Sequence, residues 1–435
     1  MEPLFLAVIC GCNAALFHQA LHEVYIPRIQ RGNRSFSANV LRIRGSLLST
    51  LAAFFEEGHW GSLRLTDVEG QSLSGEDQLY VLTQSGLYLM DTLGQASPQA
   101  RICYERAEAL YHTLNRPLLL FTTLINQWRY SLVTEKLTAT LQIAERIYSL
   151  AKKQNDPAAL MGAYTSLAST HYYLGDNFDV ARQYAASGVQ IWRSQGMQTL
   201  PEESVASSVL CLYYKAICEW NLGEIALYQS TKAETISVAK ELNSMPTFAF
   251  ALYAAAMSAS FERNVAETER FVAELIELST RHNFAFWLPG ANVLRGWVRS
   301  VSGKTIEGIS LIKQGIEDYK ATGSMMALPI FLALKAEALH LGDRTQAALE
   351  AIGEAEVLAE RFENHHWSAE VHRLRCVFLT AVGASDTEIE TSFRRAIGTA
   401  KRQKSTTLAT RAEASYAEYR ARKGAGGVRH EREQS

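Results

Sequence analysis

A short break in the helical pattern, usually marked by glycine, returns along this chain with a nearly fixed spacing, and that recurrence excludes most folds. Gly94, Glu135, Gly175, Gly223, Asn264, Gly303, Gly342 and Gly383 stand 41, 40, 48, 41, 39, 39 and 41 residues apart. Proline gives an independent series: Pro117, Pro157, Pro201, Pro246, Pro289 and Pro329 follow one another at 40, 44, 45, 43 and 40 residues, each 22 to 26 residues after a break. Proline is tolerated in the first turn of a helix and excluded from its interior, so the prolines mark helix starts and the breaks mark tight turns. The unit is a helix, a turn, a second helix and a loop, with Asn155 and Asp156 placed to cap the helix that opens at Pro157.

After the turns, apolar residues recur at three and four: Ile309, Ile312, Ile316 and Tyr319 follow Gly303, and Ala347, Leu349, Ile352, Ala355 and Leu358 follow Gly342. Gly308 and Ala347 place small residues near the turn, where paired helices approach most closely. One hairpin cannot bury its own apolar stripe, so neighbours must stack. The predicted fold is all-α, an α-solenoid of stacked helical hairpins over residues 1–420, less regular over 1–93, with a disordered tail at 421–435. The final helix, with no second helix after it, is expected to expose Leu408, Ala412, Tyr416 and Tyr419 and to drive self-association.

Composition narrows the function. Lys plus Arg number 43 and Asp plus Glu 45, so a net charge of -2 offers no general attraction to nucleic acid or to an anionic membrane. The basic segments Lys401-Arg402-Gln403-Lys404 and Arg420 to Ser435 read as solvent-exposed or disordered rather than as a nucleic-acid site. Six cysteines at uneven spacings fit thiols in a reducing compartment rather than a disulfide framework. Leu4 to Phe17 lacks a basic start and reads as a helix rather than a signal peptide, and Leu242 to Phe261, interrupted by polar residues and Pro246, reads as a buried helix rather than a membrane span. The expected location is cytoplasmic.

The segments Gln127-Trp128-Arg129-Tyr130, Leu294-Arg295-Gly296-Trp297, Tyr319-Lys320-Ala321-Thr322-Gly323, Phe331 to Ala338, His372-Arg373-Leu374 and Phe393 to Ile397 make the chain resemble, to about Ala412, the tetratricopeptide-type C-terminal region of large bacterial signalling ATPases. In that family a P-loop ATPase module, often preceded by a nucleotidyl cyclase or winged-helix domain, sits upstream of the repeats. No ATPase, cyclase or winged-helix segment is recognised in this sequence, so the family's activities are not carried over to it.

No catalytic or metal motif is complete. Ser302-Gly303-Lys304-Thr305 ends like a phosphate-binding loop, but Val298 stands where that loop needs glycine, and Gly303 belongs to the turn series. His365, His366, His372 and Glu370 lack the spacing of a metal set and are expected to be surface histidines, while Cys211 and Cys218 read as small core residues. The chain is therefore expected to be non-enzymatic, to need no cofactor, and to bind a protein, peptide or small ligand. The alternative is the detached regulatory part of an ATPase, cyclase or transcriptional regulator, active with a catalytic chain. An RNA-binding repeat is disfavoured by charge and period. Positions three and six before each turn point to Arg129, Tyr172, Trp220, Phe261 and Trp297 as groove residues, joined by Tyr213 on the helix that carries Trp220. Packing between repeats is the competing role for these rings.

Overall fold

The computed structural model describes residues 1–32, 44–57, 59–94, 96–114, 117–195, 205–282, 284 and 286–433, with backbone alone at 44, 91, 112–113, 117–119 and 424–433. It is an all-α solenoid of helical hairpins. Seven hairpins carry the regular part: α5 (Gly75–Leu93) with α6 (Pro98–Leu114), α7 (Pro117–Thr134) with α8 (Leu137–Gln154), α9 (Pro157–Leu174) with α10 (Phe178–Gln195), α11 (Ser207–Leu222) with α12 (Ile225–Glu241), α13 (Met245–Phe261) with α14 (Val265–His282), α15 (Leu288–Val301) with α16 (Thr305–Ala321), and α17 (Leu328–Leu341) with α18 (Thr345–Phe362). An eighth, α19 (Ser368–Ala381) with α20 (Asp386–Arg402), precedes a lone α21 (Thr406–Glu433). The uncharged segment ending at Phe261 is the buried α13, and no helix among the described residues is long and apolar enough to cross a membrane. Prolines open α7, α9, α13, α15 and α17, as the sequence predicts; Pro201 lies outside the described residues.

The turns keep a stricter period than the glycines do. The residue in the left-handed conformation is Gly223, Arg263, Gly303, Asp343 and Gly383, each 40 positions after the last. At two of these turns the marker chosen from sequence is one residue late or early: Arg263 (φ +63°) takes the conformation in place of Asn264, and Asp343 (φ +57°) in place of Gly342. That slip corrects the packing register of α18. Ala347 is only half-buried, and the fully buried small residue is Ala348, five positions after Asp343 as Gly308 is five after Gly303. Gly308 confirms the close approach: a Cβ there would lie 2.4 Å from the Gly296 carbonyl oxygen on α15.

The N-terminal part departs from the repeat. It contains α1 (Glu2–Asn13), α2 (Phe17–Gln19), a π-helical α3 (Ala20–Ile29) that accommodates Pro27, α4 (Arg44–Leu51) and a small antiparallel pair, β1 (Phe55–Glu56) and β2 (His59–Leu63). Phe17, Leu21, Tyr25, Phe54 and Tyr88 form its own core against α5 and α6. No strand was expected here.

The solenoid winds tightly enough for its turns to touch. The loop before α17 reaches the end of α7, where the Met325 amide donates to the Val133 carbonyl at 2.8 Å. The loop before α19 meets the end of α9, where the amides of His365 and His366 donate to the Tyr173 carbonyl. The loop before α21 meets the end of α11, where the Ser405 hydroxyl donates to Asn221 Oδ1 at 3.0 Å and Thr407 donates to the Trp220 carbonyl. Glycine is needed where these surfaces meet: Gly175 (φ +66°) would place a Cβ 2.6 Å from the His366 nitrogen. The same closure corrects the expectation of an exposed final helix. Leu408, Ala412 and Tyr419 are buried and Tyr416 half-buried, because α21 packs on α19, α20 and α11, with the Phe393 ring 5.0 and 5.8 Å from Tyr416 and Tyr419. Helical backbone also continues past residue 421 to Glu433.

Candidate functional site

First helices of consecutive hairpins line the inner surface of the winding, and that surface has two parts. One is filled. Arg263, in the turn after α13, donates to Glu337 on α17 at 2.7 Å and to Glu370 on α19 at 2.8 Å. Arg373 and Arg411 also reach Glu370, at 2.9 and 3.4 Å. Burial works against the charge on Glu370, but Arg373, Arg411 and Arg263 hold its carboxyl well below the usual range. Over this ionic cluster lie rings: Phe261 and Trp367 stack at 4.1 Å, Trp220 sits 6.0 Å from Phe261, and the Arg411 guanidinium lies over Trp220. Trp297 donates its indole N–H to Glu337 at 3.2 Å and is 1% exposed. Trp220, Phe261 and Trp297 thus lie inside the winding, packed into the joint between its turns. Tyr172 has the same setting, between Phe178, Tyr214 and His366.

The other part is a cavity of about 110 Å³. Arg129 and Tyr213, both singled out from sequence, line it. They are joined by Tyr173, Phe250, Tyr253 and Trp287, and by Tyr319 from the next turn of the winding. The local reason is the repeat itself: Leu210, Phe250 and Gly290 occupy one repeat position in α11, α13 and α15, and Tyr213 and Tyr253 occupy another. Once Tyr213 is chosen, the 40-residue period is the signal that finds Tyr253. Trp287 and Tyr319 carry no such signal, because loop geometry and the contact between turns place them. Burial first, and then the neighbouring phenols Tyr319, Tyr173 and Tyr213, push the Tyr253 hydroxyl well above its ordinary pKa; burial likewise raises Tyr173, Tyr213, Tyr214 and Tyr319, so five phenols cluster here in protonated form. Each can donate and accept a hydrogen bond. A larger depression of about 480 Å³ on α7 and α8 is open to solvent, and its Arg146 is already paired with Glu108 at 2.6 Å.

The remaining motif residues have structural roles. Gly303 adopts φ +85° in the exposed turn between α15 and α16, and Thr305 opens α16, so the Gly-Lys-Thr run is a hairpin turn. The expectation of surface histidines is corrected for His366, which the closure buries, and for His372, which is buried on α19 beside α18. His366 Nδ1 meets Asn364 Oδ1 at 2.6 Å and His372 Nδ1 meets Glu356 at 3.0 Å, while His365 is half-buried. Among the described residues no cluster of three or more His, Cys, Asp or Glu side chains could hold a metal. Cys211 and Cys218 are buried free thiols.

No family model matches the chain. It is similar to an uncharacterized protein of Rhizobium meliloti (strain 1021), 22% identical over 343 residues, which is 78% of this chain and 33% of that protein. The chain therefore spans about a third of the length of the curated relative it matches. Among solved structures it is similar to a Rap protein complexed with competence and sporulation factor, at 14% identity over 75% of this chain and 91% of that one, with a TM-score of 0.48. It is also similar to aspartyl phosphate phosphatase F from Bacillus subtilis, at 12% identity over 93% and 95%, with a TM-score of 0.46. At these scores neither likeness bears on function, and the solenoid is established by the chain's own hairpins and their stacking.

Proposed function

We propose that this chain is a helical-repeat interaction module that acts by binding rather than by catalysis, holding a peptide, a segment of a protein or a small ligand against the inner surface of the winding. The supporting observation is the cavity: first helices place aromatic rings and phenol hydroxyls on its wall at repeated positions, with Arg129 beside them. Rigid rings with polar handles are the usual means by which repeat surfaces gain affinity at low entropic cost. A role in bacterial signalling is the biological setting proposed for it.

A second reading makes the chain the regulatory part of a P-loop ATPase, nucleotidyl cyclase or transcriptional regulator. The match covers about a third of the curated relative, so that protein has length outside the match for such a module.

A thermal-shift screen of peptides and small molecules tests the binding reading. Ala254 lines the cavity and is buried, so Ala254→Leu fills part of the space, at about 1 to 3 kcal/mol of overpacking. Ligands that stabilise the native chain should lose their effect in this variant while its cooperative unfolding persists. Hits that stabilise both proteins equally would place binding elsewhere.

A further inference from the structure

We infer that the interior cavity takes a compact apolar ring carrying one carboxylate, with the ring among the aromatic side chains and the carboxylate against Arg129. This rests on the binding reading above and names the chemistry of the ligand.

Charge carries the inference first. Arg129 is the one charged side chain lining the cavity among the described residues, and no Asp or Glu lines it. Arg129 is half-buried as a residue, and its guanidinium has no ion pair or hydrogen bond to any described residue, whereas the interior arginines Arg263, Arg373 and Arg411 are all tied to carboxylates. A guanidinium on a cavity wall with no protein partner can take one from a ligand, and a bidentate carboxylate is the group that best satisfies its fork of donors. The phenols of Tyr213 and Tyr253 stand on the same wall as neutral groups able to donate to an anion.

Size carries it further. A dry apolar cavity of about 150 Å³ holds benzene, so the 110 Å³ here leaves room for at most a single ring or a branched aliphatic group. The faces on offer, from Trp128, Phe250 and Trp287, favour an aromatic one. Such a group has two sources: a free aromatic acid, or the C-terminal aromatic residue of a peptide.

Titration calorimetry of the whole chain with phenylacetate, its neutral isostere phenylacetamide, and N-acetyl-alanyl-phenylalanine with a free C-terminus tests the assignment. Phenylacetate should bind about ten-fold tighter than phenylacetamide, the worth of one charge-assisted contact. That preference should vanish in Arg129→Gln and return in part in Arg129→Lys. Tighter binding of the dipeptide than of phenylacetate would identify the peptide source, and the reverse the free acid. Equal binding of acid and amide, unmoved by Arg129→Gln, would overturn the carboxylate assignment and leave the cavity as a neutral site. Binding of none of the three, with the native chain and Ala254→Leu also indistinguishable in the ligand screen, would overturn both this inference and the binding reading.

Discussion

The carbonyl oxygen of Tyr173, at the end of α9, accepts the amide N–H of His365 at 3.0 Å and, from the next residue, that of His366 at 3.2 Å. This pairing belongs to neither helix. It joins one turn of the winding to the next, and Gly175 makes room for it.

Adding a methyl group at Gly175 should therefore cost more than backbone strain alone. Gly383 has a similar left-handed backbone (φ +72°) but nothing within 4 Å of its missing Cβ. Gly383→Ala is expected to cost about 1 kcal/mol, and Gly175→Ala about 2 to 4 kcal/mol through the added clash with His365 and His366. Urea unfolding of the two variants measures the difference, and equal costs would deny the contact.

The ionic cluster should be intolerant of single deletions. Glu370 is 1% exposed and faces three arginines, so Glu370→Ala leaves buried positive charge uncompensated. A loss of about 3 to 5 kcal/mol is expected, read as a lower denaturation midpoint.

Buried His366 predicts acid sensitivity. Burial, followed by the charge of His365, lowers its pKa from 6.5 to about 3. The unfolded chain therefore takes up a proton below pH 6.5 that the folded chain refuses, and stability falls as pH drops from 6.5 towards 3. In His366→Gln the slope of stability against pH across that window should be shallower, whatever the variant's stability at neutral pH.

Trp220 and Trp297 are two of the groove residues expected from the sequence, and both pack into the joint. Truncating either to Ala should cost about 3 to 5 kcal/mol in thermal or urea unfolding. Near-native stability with lost ligand binding would return them to the binding surface.

Lys304→Ala, in the exposed Gly-Lys-Thr turn, should change stability by no more than about 0.5 kcal/mol. Micromolar ATP binding that this variant abolished would contradict the turn assignment.

The hairpin repeat was legible because helix starts and turns carry residues with unusual backbone demands. Pro157, Pro289 and Pro329 sit where proline costs least, and Gly175, Gly223 and Gly303 where L side chains are strained. The register differs by one position at Asp343 and Arg263 because short polar turns let a non-glycine residue take the left-handed conformation beside a Gly or Asn that does not. Closure was not legible. The burial of His366, of α21 and of Trp220 comes from contacts between residues far apart in sequence, and local periodicity holds no information about the pitch of a superhelix. The cavity was half legible: Arg129 and Tyr213 follow from helix position, whereas Tyr319 reaches the cavity because the winding brings α16 there.

Everything proposed for the interior depends on the winding closing on itself. Thr138, at the start of α8, donates its amide to the Glu363 carboxylate at 2.9 Å across that closure. Spin labels at Thr138→Cys and Glu363→Cys, in a Cys10→Ser background that removes the one exposed native thiol among the six, report on it through continuous-wave electron paramagnetic resonance. Closure predicts dipolar broadening in the doubly labelled protein that neither single label shows. A spectrum equal to the sum of the two singles would mean an open solenoid, with no enclosed cavity between α7, α11, α13 and α16.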